Sequence, residues 1–169
     1  SVTTLILNTP MIEKQYKMNG RWLGFGEGYF GESLTKIREV TIGDGVIVIG
    51  EQAFAGCLNL ESLTIGTGVR KIAGDAFSEC TALTTLLVKT PLVGSTANFM
   101  ATFLPDVKNT LKRVIIGNEL TNIADSAFRE CFNLELVTIF NNMIDIGESA
   151  FRECSSLKSI TIPDSVTNI

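Results

Sequence analysis

The chain has 169 residues, a net charge of −4 and a pI near 4.9, so it lacks the basic face that nucleic-acid phosphates require. Hydrophobic residues make up 45 % and charged residues 19 %, which supplies a continuous core and excludes a long charged tail. No apolar run approaches the ~20 residues of a membrane helix, and no basic amphipathic stretch points to a membrane surface, so no membrane insertion is expected.

The chain opens SVTTLILNTP, without a charged leader, and stops part-way through a repeat, so a longer parent protein is expected. Residues 1–11 already look like a repeat start. Val2, Leu5 and Leu7 match Leu83, Leu86 and Val88, and a Thr-Pro pair follows in both places.

The register is then lost over residues 12–33. This stretch holds the only tryptophan, Trp22, with Tyr16, Phe25, Tyr29 and Phe30, among five glycines. It reads either as a hairpin or loop capping the open core, or as a binding loop using Trp22, Tyr16, Phe25 and Tyr29 against a glycan or protein. Gly26-Glu27-Gly28-Tyr29-Phe30-Gly31 satisfies G-x-G-x-x-G, but no strand–loop–helix context surrounds it, so a dinucleotide site is not expected.

From Ile37 onward one skeleton recurs, starting at Ile37, Leu60, Leu83, Leu111, Leu134 and Leu157, in steps of 23, 23, 28, 23 and 23 residues. A fixed period in the twenties is the signature of a solenoid. Each Leu-x-x-Leu-x-Ile segment alternates in and out, which predicts a short strand. One strand per turn stacks the strands in parallel about 4.8 Å apart. A second apolar pair, such as Val69 and Ile72, marks the return path. A short helical turn is predicted next, opening near Asp75 and carrying Ala76, Phe77 and Cys80. The third repeat is five residues longer and lacks the Ala-Phe and Cys positions. Phe99, Met100, Phe103 and Leu104 are expected to fill the vacated space.

The expected organisation is one repeat domain over 1–169. It has an irregular first repeat (1–36), two regular repeats (37–82), an irregular repeat (83–110) and regular repeats over 111–169, the last cut short.

The string Leu-x-x-Leu-x-Ile-x-x-x-Val-x-x-Ile-Gly-x-x-Ala-Phe-x-x-Cys resembles the BspA-type, or Treponema-type, leucine-rich repeats of bacterial surface proteins. Residues 146–162 (IGESAFRECSSLKSITI) and 162–169 (IPDSVTNI) are close to that consensus. The resemblance implies an α/β repeat fold: a leucine-rich-repeat solenoid with a curved parallel β-sheet on the concave face and short helical turns or strands on the other side. It also implies a protein exported to the cell surface or secreted, which mediates adhesion or protein–protein contact.

The chain has no histidine, which removes Ser-His-Asp and Cys-His pairs and every histidine-containing metal site. No catalytic residue, metal site or cofactor is expected. Glu51, Asp75, Asp125 and Glu148 recur near one repeat position, where they are expected to cap the turns or offset a dipole. Cys57, Cys80, Cys131 and Cys154 also share one position. Four sulfurs spread along a solenoid axis cannot surround one zinc ion. Neighbours lie within disulfide range but project in parallel, so buried free thiols are the better reading.

Residues between the buried strand positions face outward. The mid-strand ladder is Thr41, Thr64, Leu87, Ile115, Thr138 and Thr161, flanked by Glu39, Ser62, Thr85, Arg113, Leu136 and Ser159, with Lys89 and Phe140 a step later. Leu87, Ile115, Leu136 and Phe140, with Arg113 and Thr138, form the candidate contact patch for another protein, either a host extracellular or a cell-surface protein. The opposing reading is that the Phe99 segment folds over the patch and buries it.

Overall fold

The computed structural model describes residues 4–8, 11–12, 16–18, 21–23 and 35–169. Seven strands form one parallel sheet: β1 (Thr4–Leu7), β5 (Glu39–Ile42), β7 (Ser62–Ile65), β9 (Thr85–Val88), β10 (Arg113–Ile116), β12 (Leu136–Thr138) and β14 (Ser159–Ile160). Their spatial order is their chain order, as it must be when each coil contributes one strand. The first repeat start is in register with the rest, pairing Leu5 with Val40 and Leu7 with Ile42.

The return path carries two smaller parallel sheets. One holds β2 (Met11–Ile12), β6 (Val48–Ile49) and β8 (Lys71–Ile72); the other holds β11 (Asn122–Ile123) and β13 (Asp145–Ile146). The irregular repeat replaces its return strand with two short helices, α1 (Leu92–Ser95) and α2 (Phe99–Phe103). Thr90 anchors their entry. Its buried hydroxyl donates to the Val69 carbonyl at 2.7 Å and accepts from the Leu92 amide at 3.2 Å.

The core lies between the large sheet and the turns. One side of each strand is sealed, with Val40, Ile42, Leu63, Ile65, Leu86, Val88, Val114 and Ile116 all buried. On the far side the phenylalanines stack. Phe54 lies 5.1 Å from Phe77 at an interplanar angle of 6°, and Phe128 lies 5.4 Å from Phe151 at 4°. Phe99, fully buried and 6.2 Å from the Phe128 ring, extends the second of these pairs. Met100 and Leu104 are buried beside it and Phe103 packs against the same core, so this segment fills the space as its composition predicts.

The regular repeats turn differently from expectation. The predicted helical turn around Asp75, Ala76, Phe77 and Cys80 is a run of tight turns, and among the described residues both helices lie in the irregular repeat. The residue before each cysteine is left-handed: Gly56 at φ 77°, Glu79 at 63°, Glu130 at 60° and Glu153 at 62°. A left-handed residue cannot continue a right-handed helix, so the chain reverses there toward the next strand.

Two of the recurrent acids, Asp75 and Asp125, also act differently. Asp75 accepts from the amide of Gln52 in the preceding coil at 3.4 Å, and Asp125 from the amide of Glu148 in the following coil at 2.9 Å. These carboxylates bond across coils, satisfying backbone donors that the stacked turns leave open. Asn59 and Asn142 do the converse, donating to the Thr35 and Asn118 carbonyls, each at 2.6 Å.

Candidate functional site

The candidate patch lies on the outward side of β9, β10 and β12. Parallel register places Leu87 between Thr64 and Ile115, Ile115 beside Thr138, and Arg113 between Thr85 and Leu136. Phe140 follows β12 by two residues. Ile115 therefore has Leu87 directly beside it, one strand spacing of about 4.8 Å away, and Leu136 diagonal to it at about 7–8 Å.

Leu136 is 43 % and Phe140 44 % exposed; Leu87, Ile115 and Thr138 are half-buried by their neighbours, and Arg113 is exposed. The Phe99 segment does not cover them. Its apolar side chains point into the core, and its backbone is tied to the turn side through the Met100 amide and the Ala127 carbonyl at 2.9 Å.

Charges rim this patch. Lys89 lies 3.8 Å from Glu119 at the strand ends, while Lys112 lies 4.0 Å from Glu135 at the strand starts. Farther along, Arg38 pairs with Glu61, and Glu39 accepts from the Thr4 hydroxyl at 3.1 Å. Asp44, beyond the end of β5, has its carboxyl held below the usual range. The cause is chiefly the Thr67 amide at 2.8 Å, with a smaller contribution from Lys89.

Gly117 sits between the strand-end positions of Lys89 and Phe140. A Cβ on it would come within 2.8 Å of the Lys89 side chain and 2.6 Å of Glu119 Oε2, so Gly117 is buried against those two side chains and only glycine fits there. Sequence reasoning passed over this close approach and over Ile6, which heads the mid-strand ladder opposite Thr41 and is 63 % exposed. Aligning Thr4-Leu5-Ile6 with Thr85-Leu86-Leu87 is the signal that finds Ile6.

Of the alternative loop residues, Tyr16 and Trp22 fall on an antiparallel hairpin, β3 (Tyr16–Met18) with β4 (Arg21–Leu23). Their side chains, together with Phe25 and Tyr29, lie outside the described residues.

All four cysteines are buried free thiols. Cys80 donates to the Phe54 carbonyl at 3.3 Å and Cys154 to the Phe128 carbonyl at 3.2 Å. A hydrogen bond with Cys57, together with burial, pushes the Cys80 thiol far up; Cys154 and burial do the same to Cys131. All four act as small core residues, and Cys80 and Cys154 also satisfy a carbonyl. Among the described residues no group of three or more His, Cys, Asp or Glu is placed to hold a metal ion. No described helix is long and apolar enough to cross a membrane.

Six copies of the BspA type leucine rich repeat region match residues 25–101 and 106–169. The chain belongs to the BspA-type leucine-rich repeat family. No curated protein matches this repeat chain significantly. Solved structures of bacterial leucine-rich repeat proteins resemble it. A leucine-rich repeat protein from Bacteroides ovatus is 19 % identical with a TM-score of 0.38, covering 82 % of this chain and 49 % of that one. The T. pallidum leucine rich repeat protein is 22 % identical with a TM-score of 0.40, covering 73 % and 66 %. A leucine rich cell surface protein from Faecalibacterium prausnitzii is 19 % identical with a TM-score of 0.40, covering 94 % and 47 %. This BspA-type chain thus spans about half the length of two of them and 66 % of the third.

Proposed function

We propose that this BspA-type chain is a non-catalytic protein-binding module of an exported bacterial surface protein, and that it holds an extracellular partner protein on its concave sheet. The observation that carries this reading is the patch of Leu87, Ile115, Leu136 and Phe140, which replaces the threonine and polar ladder on three adjacent strands. An apolar centre with a charged rim is the composition of a recognition surface. Surface location is the reading that the family supports, since its members are commonly exported.

The test is binding of the purified chain to a panel of immobilised extracellular host proteins, beside a Leu136→Glu/Phe140→Glu variant. Both side chains are more than two-fifths exposed, so the variant should keep its fold by circular dichroism. Saturable binding lost in the folded variant supports the reading. Binding that survives the double change removes the concave face from it. Silence across the panel favours the second reading, a structural spacer within a larger surface protein, which the uninterrupted core of stacked coils also supports. Glycan binding through Tyr16, Trp22, Phe25 and Tyr29 predicts a change in Trp22 fluorescence on adding sugars.

A further inference from the structure

We infer that the concave patch selects an acidic–apolar segment of its protein partner, with Arg113 receiving the partner's carboxylate. This rests on the concave-face reading above and names the chemistry of what binds there.

The strand edges beside the patch carry cations, and most are already answered within the chain. Arg38 has Glu61, Lys89 has Glu119 and Lys112 has Glu135. Arg113 is exposed, and among the described residues it has neither an ion pair nor a side-chain hydrogen bond. Its register neighbours, Thr85 and Leu136, carry no charge. Glu39 stands in the same column, but three strands away along β5, β7, β9 and β10, or about 14 Å at ~4.8 Å per strand. That exceeds the ~8 Å screening length of physiological salt, and the same screening keeps the net charge of −4 from governing the patch.

One strand therefore offers an unanswered guanidinium at Arg113 and an apolar side chain at Ile115, about 7 Å apart along it. Leu136 and Phe140 run parallel to these on the next strand. A segment that sets an Asp or Glu beside two or three apolar side chains matches these features. Arginine presents a planar fork that fits a carboxylate with two parallel hydrogen bonds, so this site would prefer a carboxylate over an amide or hydroxyl.

The test is selection of random linear displayed peptides on the folded chain, followed by titration of synthetic copies of the enriched peptides. Enriched peptides should carry Asp or Glu next to apolar residues. Their affinity should fall about tenfold or more with Arg113→Gln, and weaken as NaCl is raised. An Arg113→Glu chain should select Lys- or Arg-bearing peptides in their place. Peptides that require Leu136 and Phe140 yet tolerate Arg113→Gln, or that are basic, would overturn the acidic assignment and leave the docking face standing. Enrichment insensitive to Leu136→Glu/Phe140→Glu would overturn the docking face and this inference together. Self-association of the chain, abolished by that double variant in sedimentation, would give the face to a second copy and also overturn it.

Discussion

Replacing Phe128 with alanine tests whether one aromatic column really couples the coils. Phe128 is fully buried, stacked on Phe151 at 5.4 Å and tilted against Phe99 at 6.2 Å. A buried Phe→Ala change costs about 3–5 kcal/mol, the larger values arising where the surroundings cannot collapse. Here the backbone is pinned by the Phe128 amide to the Ala150 carbonyl at 2.8 Å, and Met100 is tied to Ala127 beside it. The cavity should therefore persist, placing the cost near the upper end. Phe151 is only half-buried and has one ring partner among the described residues, so Phe151→Ala should cost about half as much. Urea unfolding followed by circular dichroism gives both values, provided the slope with denaturant is unchanged. Phe99→Ala with Phe128→Ala should show a coupling of about 0.5–1.5 kcal/mol. Equal costs for Phe128 and Phe151, with no coupling to Phe99, would refute the reasoning.

Two glycines separate strain from collision. A Cβ at Gly68 would lie 1.9 Å from the Asp44 carbonyl oxygen, so Gly68→Ala should cost several kcal/mol by thermal melting. Gly56→Ala meets nothing within 4 Å and should cost only the left-handed backbone penalty of about 1 kcal/mol, as the glutamates at the same position already bear it. Because folding depresses the Asp44 carboxyl, its contribution is present above the ordinary value of 3.8 and is lost as pH falls below it. Asp44→Asn should thus lower stability slightly at neutral pH, by less than about 1 kcal/mol given its exposure, and the difference should close in acid. The four thiols should resist a water-soluble thiol reagent in the native chain and all react in denaturant, with reductant leaving the melting temperature unchanged.

Most of the architecture was legible because a solenoid makes every coil report the same burial. Leu-x-x-Leu-x-Ile gave the strands, and the outward residues followed from a side-chain period of two, down to Arg113 beside Leu136. The turns were misread for a physical reason. Ala, Phe and Cys at Ala76, Phe77 and Cys80 have the spacing of one helix face, yet Glu79 adopts φ 63° just before the cysteine. Gly56, at that place in an earlier coil, was the available signal. Asp75 and Asp125 look in the sequence like local caps or dipole partners because both are short-range patterns. Their actual bonds reach residues 23 positions away, which no local window contains.

The irregular repeat helps decide what the patch means. Although that coil is five residues longer, β9 stays in register with both neighbours, Leu87 pairing with Thr64 and with Ile115. The extra chain is absorbed on the turn side by α1, α2 and the Phe99 cluster, so it places no demand on the concave surface. Thr41 and Thr64 hold the same position in the preceding coils and Thr138 in the following one, with the strands equally well formed. Core packing therefore does not require leucine at 87 or isoleucine at 115. Their cost is apolar area left in contact with water, about 25 cal/mol for each Å2 not buried. A partner that covers Leu87, Ile115, Leu136 and Phe140 together recovers that term, and isolated polar ladders in the neighbouring coils do not offer it.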